Sequence, residues 1–531
     1  MRNNLILGTL QSLFTSIRFA YSLIVTFKKP WSLECSASFM KQGIENRDRN
    51  FLDLCDSQIF ANKKNPYQKL FDCAGYTREK LAGLVRHQGL EAALFQLAAD
   101  GIYLDIDEFK AKKPVIRPGL HMTVNASVFD IIKGPGVTVK SSGSRGPGMR
   151  TRIGIPGLRL LASNLPLILN FLKSEHLPIV LYYPMPSVSG IVHLIVFTMA
   201  GKPPSAWFSQ MPPPSLWLSK TGLKPSLLKA CSWFAGISLP SPKFADINHP
   251  VNMVLWLKKN CPEGATIPTF TGSALHLIQA AATAKIKLPP LTFILGGEPI
   301  TEKKRRIIET YGHRVFPWYS SVETGRIAIG CLSSSNADGM HLLNDRIAAV
   351  IHPRRVDSTD SLRSSLFLTS IHPDMYKFFL NVETGDEAVL EDRRCGCPWE
   401  AIGLNQHLHS VQSFEKLTLE GMSIVADNLS RFVEEELPAR CGGTPLDYQF
   451  TEEEDVDGFT RLVLSASPSI PMECAQIRDV LMELFYGLQS TAFAAKYLAQ
   501  ADAITVRREH PTLTRSGKIL TLRSTKKGVA P

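Results

Sequence analysis

The sequence predicts an α/β protein: a large N-terminal domain with parallel sheets, followed by a small, mobile α+β domain. Three observations carry this. LTFILGG (residues 291–297) is an unbroken apolar run of strand length, the pattern of a strand buried on both faces. The helix-like run EKKRRIIETYG and then the strand-like RVFPWYS follow it, and strand–helix–strand order argues for parallel pairing. Further on, short strand patterns and a single helix form a separate mixed region. With 531 residues the chain is too long for one compact core, and the predicted division is 1–411 and 412–531.

The elements follow in order. Residues 5–25 are mostly apolar but are interrupted by Gln11 and Arg18, and no small-residue cleavage site follows. A clean spanning helix needs ~20 apolar residues. An amphipathic helix packed on the domain suits Arg18 better, with peripheral membrane contact as the less favoured reading. Residues 65–84 have helical periodicity broken at Gly75, and GVTVK (136–140) reads as a strand rich in β-branched residues. Two apolar blocks, LPIVLYYP (177–184) and HLIVFTMAG (193–201), precede the proline-rich residues 203–214, which read as an excursion over the surface. A helix is predicted over 274–284. Another begins after Thr301 as N-cap and is closed by Gly312. Residues 447–467 read as two strands around the turn Asp457–Gly458, with a helix over 474–487 and a last strand near 503–507.

The formal net charge is +11, with basic residues spread along the chain and no aromatic-interleaved basic array. This argues against a nucleic-acid partner and suits a site for polyanionic small molecules. Ten scattered cysteines form no framework and read as reduced, cytoplasmic thiols. Cys395 and Cys397 make a lone C-x-C. A zinc site would need two more ligands, and none lies close in sequence, so a tight turn with two small thiols is expected.

Four segments could carry chemistry. Ser141, Ser142, Gly143, Ser144, Arg145 and Gly146 place hydroxyls and glycines directly after a strand, where amides and hydroxyls can donate to phosphate oxygens. The same composition also makes a plain linker, and no Gly-Lys-Ser/Thr ends it as in a Walker A loop. Glu323, in YSSVETG (from Tyr319), is a carboxylate just past a strand end, placed to hold Mg²⁺ or simply to favour a helix dipole. Asp386 in TGD is an acceptor-only group that could take both ribose hydroxyls. Lys518 in TLTRSGK could stabilise charge at an attacked phosphorus, or belong to an exposed basic tail.

In this order and spacing, these segments together with GGEP (296–299) resemble the acyl-adenylate-forming superfamily. The N-terminal segment and the C-x-C point to its phenylacetate–CoA ligase-like branch. The resemblance implies a phosphate loop at 141–146, an adenine-lining segment at Gly297, Glu298 and Pro299, and nucleotide contact by Tyr319. It further implies Mg²⁺ on Glu323, ribose on Asp386, and Lys518 as the adenylation lysine. The implied reaction joins a carboxylic acid to ATP and passes the acyl group to CoA or a carrier-protein thiol. The chain departs from the superfamily at Arg145, Ser320, Val322 and Gln412, where threonine, glycine, a hydroxyl residue and arginine are usual. Three readings follow: an acid–thiol ligase, an adenylating enzyme with another acceptor, and a non-catalytic nucleotide- or acyl-binding protein. The apolar and small residues near 193–201, 269–276 and 295–298 suit an aromatic or medium apolar acid.

Overall fold

The computed structural model describes residues 16–131, 134–185, 188–212, 225–355, 361–413, 416–419, 422–487, 492–512 and 521–524, except 141–149 and 361. Residues 141–146 and 514–518, expected to hold the phosphate loop and the lysine loop, lie outside them.

The centre of the molecule is a 13-stranded sheet. Its first half is parallel and comprises β1 (Val180–Tyr182), β2 (Ala206–Ser209), β3 (Pro242–Phe244), β4 (Ala265–Thr269), β5 (Leu291–Leu295) and β6 (Arg314–Ser321). These lie in the spatial order β3-β2-β1-β4-β5-β6. From β6 the sheet continues antiparallel through β7 (Gly325–Gly330), β8 (Met340–Leu342), β9 (Ile347–Arg355), β10 (Leu362–Ser370), β11 (Val382–Asp392) and β12 (Gln406–Ser413). The order there is β6-β7-β8-β12-β11-β10-β9, and the two-residue strand Leu104–Asp105, parallel to β11, is the thirteenth.

The parallel strands explain their own composition. Phe293 and Leu295 enter one core with the helix Thr271–Thr283, while Ile294 between them enters another with the helices Ile155–Ala162 and Val188–Met199. Alternate side chains thus meet helices on both faces, and every position must be apolar. The second apolar block of the sequence becomes the helix Val188–Met199, while the first supplies β1.

The proline-rich stretch is a correction. Residues 203–214 were expected at the surface, yet Ala206–Ser209 is a fully buried strand between β1 and β3. The prolines lie outside the four paired residues, so they end the strand without interrupting it. The C-x-C turn is a second correction: two further ligand-type residues do reach it, Cys331 from the end of β7 and His341 from β8.

Other expectations are met closely. Thr301 caps the helix Glu302–Thr310, accepting from the Lys304 amide at 3.2 Å, and Gly312 beyond it takes φ 81°. Residues 16–28 form a helix whose Phe19, Leu23 and Phe27 are buried at i, i+4 and i+8, packed on the domain. Among the described residues no helix is long and apolar enough to cross a membrane.

A separate four-stranded sheet forms the C-terminal part. β13 (Tyr448–Glu454) and β14 (Thr460–Ala466) make the predicted hairpin, flanked by β15 (Ile504–Arg508) and β16 (Leu522–Ser524). The helix Cys474–Gly487 covers it through Ile477, Leu481 and Phe485.

Candidate functional site

The site is built where the parallel half of the sheet turns antiparallel, at the carboxyl ends of β5 and β6. Crevices of this kind are where α/β sheets receive ligands. After Leu295 the chain passes through Gly296 and Gly297 to Glu298 and Pro299. Gly296 is obligatory on packing grounds, because a Cβ there would meet the Trp318 indole of β6 at 2.2 Å. Gly297 takes φ 81° and is exposed, which leaves its backbone open to a ligand. Glu298 is half-buried, and its Oε1 accepts from the Gly272 amide in the first turn of the neighbouring helix at 3.3 Å.

On β6, Tyr319 donates its hydroxyl to Asp386 Oδ2 at 2.5 Å. These residues are 67 positions apart, on strands β6 and β11 that are not neighbours in the sheet. The Tyr319 hydroxyl is held protonated well above its usual range, first by burial, then by the Asp386 carboxylate, with Glu323 contributing. Tyr319, Asp386 and Glu323 therefore share one neighbourhood. Asp386 is also placed by its own turn, since its amide donates to Thr384 Oγ1 at 3.2 Å and Gly385 takes φ 75°.

Glu323 sits in the tight connection from β6 to β7. Ser321 and Thr324 hydroxyls bond across that turn at 2.8 Å. Gly325 closes it at φ 76°, where a Cβ would meet Leu161 at 2.7 Å and the Tyr376 hydroxyl at 3.0 Å. The Glu323 carboxylate is buried and paired with Lys110 Nζ at 2.9 Å. Burial, with Glu323 nearby, also raises the Tyr376 hydroxyl far above its usual range. A buried carboxylate that already holds one cation is a donor suited to a hard divalent ion.

Behind this edge runs a row of rings that the sequence did not disclose. Phe270 meets Tyr183 edge-on at 5.2 Å, Tyr183 stacks on His193 at 4.6 Å, and His193 lies 5.4 Å from Trp318. Arg326 lies over the Trp318 ring at 4.3 Å, donating to the Leu161 carbonyl at 3.0 Å and to Asn164. Burial lowers His193 to about 4 and Arg326 to about 9, the latter also through Arg346. His193 is thus neutral at physiological pH. Its Nδ1 lies 2.7 Å from the Ser189 carbonyl, as in a satisfied core histidine. His276 lies tilted against Phe459, in the turn of the C-terminal hairpin, with ring centroids 4.3 Å apart. Arg326, directly after ETG, could have been singled out from its position; Lys110 and Tyr183 carry no local signal.

The structure therefore gathers Tyr319, Glu323 and Asp386, with Gly297, Glu298 and Pro299 on the adjacent strand end. Ser141, Ser142, Gly143, Ser144, Gly146 and Lys518 lie outside the described residues, but their anchors do not. Lys140 pairs with Arg150 in the hairpin that flanks residues 141–149. The Thr512 amide donates to Gln449 Oε1 at 2.9 Å, and the Thr521 carbonyl accepts from the Phe450 amide at 2.9 Å.

No protein-family model matches this sequence, and no curated protein matches it. Among solved structures, 2-hydroxyisobutyryl-CoA ligase, in complex with 2-HIB-AMP and CoA in the thioesterification state, superposes with a TM-score of 0.55. That alignment has 15% identity and covers 90% of this chain and 89% of that one. A double mutant of o-succinylbenzoate CoA synthetase from Bacillus subtilis gives 0.41 at 13% identity, over 72% and 67% of the two chains. The first likeness establishes the fold: that of the AMP-forming acyl-CoA ligases, with a distinct C-terminal domain.

Proposed function

We propose that this protein activates a carboxylic acid with ATP, releasing pyrophosphate, and passes the acyl group from acyl-AMP to the thiol of CoA. The observation that carries this is the meeting of Asp386, Tyr319 and Glu323 at one sheet edge, beside the open backbone of Gly297. An acceptor-only carboxylate and a buried carboxylate for a divalent ion are what a nucleotide needs at its two ends.

In this reading Asp386 accepts the ribose hydroxyls while Tyr319 holds it in place. Gly297, Glu298 and Pro299 border the adenine, and residues 141–146 bind the phosphates. Glu323 exchanges Lys110 for Mg²⁺, which when bound neutralises charge on the phosphates. Lys518 bridges the acid carboxylate and the α-phosphate, stabilising charge as the carboxylate oxygen attacks phosphorus. The ring row from Phe270 to Trp318 supports an aromatic or medium apolar acid, because flat, dry walls favour such groups. Of the superfamily's branches, the phenylacetate–CoA ligase-like one is our assignment. The small domain, residues 412–531, is proposed to reorient between the two half-reactions.

The test is a panel of carboxylic acids assayed for pyrophosphate release with ATP and Mg²⁺, followed by CoA as the only nucleophile offered. Acid-dependent pyrophosphate followed by acyl-CoA is expected. Pyrophosphate without acyl-CoA would point to a carrier-protein thiol or an amine as acceptor. ATP binding without any acid-dependent release would identify a binding protein.

A further inference from the structure

We infer that Cys331, His341, Cys395 and Cys397 form a closed structural zinc site in the antiparallel half of the sheet. Their ligand atoms lie within 4.8 Å of one another. Tetrahedral zinc, with Zn–S of about 2.3 Å and Zn–N of about 2.0–2.1 Å, sets its ligand atoms roughly 3.5–3.8 Å apart. His341 Nε2 lies 3.6 Å from Cys395 Sγ, within that spacing, and 3.1 Å from Cys397 Sγ, a little under it.

The surroundings are those of a metal site rather than of a chance cluster. His341 Nδ1 is 2.8 Å from the Leu404 carbonyl, so that nitrogen carries the proton and donates. The Nε2 lone pair then faces the sulfurs, which is the second-shell arrangement that fixes a ligating imidazole. Cys395 and Cys397 flank Gly396, at φ 70°, and the Cys397 amide donates to Cys395 Sγ at 3.4 Å. A glycine in the left-handed region lets both thiols of so short a turn point to one centre. The turn is fastened in place because the Cys395 and Gly396 amides donate to Glu400 Oε2 at 2.9 and 2.8 Å. Cys331, Cys397 and His341 are buried and Cys395 is half-buried, so four ligands close the shell and no position is left for substrate. The ligand type, three soft thiolates and one imidazole, selects zinc over the hard ions that nucleotides use.

The site ties three separate pieces of chain: the end of β7, the strand β8, and the turn between β11 and β12. β12 is the strand that leads toward the C-terminal domain, so the metal would secure the sheet from which that domain departs.

The test uses the full chain purified under reducing conditions from zinc-supplemented medium. Elemental analysis is expected to find about one zinc per chain after dialysis, as for a structural Cys₃His site. Cys395→Ser and Cys397→Ser should each lose most of it and lower the Tm. Because such variants could fail to fold, the wild-type protein is also stripped with a chelator and titrated with Co²⁺. A thiolate-to-cobalt charge-transfer band with tetrahedral d–d absorption, bleached by added Zn²⁺, is expected. Metal-free wild-type protein that gives no such band, or a disulfide among these cysteines in reduced preparations, would overturn the inference.

Discussion

Tyr319 shows what a single side chain can contribute at this edge. Its hydroxyl donates to one Asp386 oxygen and so fixes the orientation of that carboxylate. Glu323 is arranged differently, because its resident partner is a cation, Lys110. Glu323→Gln should therefore raise the Mg²⁺ concentration needed for half-maximal pyrophosphate release, since the amide keeps shape but loses charge. Lys110→Ala should lower it by removing the competitor. A magnesium titration of both variants checks the pair; shifts in the same direction would disprove competition at Glu323. Lys518→Ala should slow adenylation by ~10²–10³ while thioester formation from synthetic acyl-AMP suffers far less, because its ammonium acts on charge present only in the first step. Single-turnover measurement of each half-reaction decides this.

Single elements were legible where their signal was local. LTFILGG announced a strand buried on two faces, and Thr301 and Gly312 marked both ends of one helix, because burial and capping write themselves into neighbouring residues. β2 was missed because only four residues separate its prolines' influence, and turn composition outweighed the apolar run AWFS. The ligand-type pair Cys331 and His341 was missed because antiparallel pairing of β7, β8 and β12 brings it to the C-x-C, and long-range pairing leaves no local trace. The same limit hid Lys110 beside Glu323 and the ring row. Of the candidate site, Tyr319, Glu323 and Asp386 were readable as residue types in order, whereas their meeting was a property of the sheet. One element also predicts a pH response. His313, buried at the start of β6 and edge-on to Phe293 at 5.8 Å, is lowered by burial from 6.5 to about 4. Between those values the unfolded chain binds a proton that the folded one does not, so stability falls as pH drops from about 6.5 toward 4. His313→Phe should flatten that part of a Tm-against-pH curve. An unchanged slope would show that His313 is protonated in the folded protein.

At the scale of the whole molecule, the C-terminal part rests on the parallel half through apolar contacts, such as Phe459 in the core of Leu275 and Ile300, and through polar ones. Thr301 Oγ1 donates to Glu454 Oε2 at 2.8 Å, Lys304 Nζ to Thr460 Oγ1 at 2.7 Å, and Gln500 Nε2 to the Gln210 carbonyl and Asp246 Oδ2, both at 3.1 Å. Lys304→Ala should loosen this seating while leaving each domain folded, seen as faster limited proteolysis between residues 413 and 422 with an unchanged Tm. Resistance equal to wild type would mean that the ammonium carries none of the seating. Bonds of this kind, three of them with a charged partner, contribute about 0.5–3 kcal/mol each net of their exchange for bonds to water. Under the proposed reorientation, the seated arrangement is one of two wells, and these bonds are part of what separates them. A ligand that favours the other well by about 5.5 kcal/mol inverts the occupancy from 1:99 to 99:1. In that proposal, which well is filled reads out what the crevice holds, set by differential affinity and reversible without melting either core.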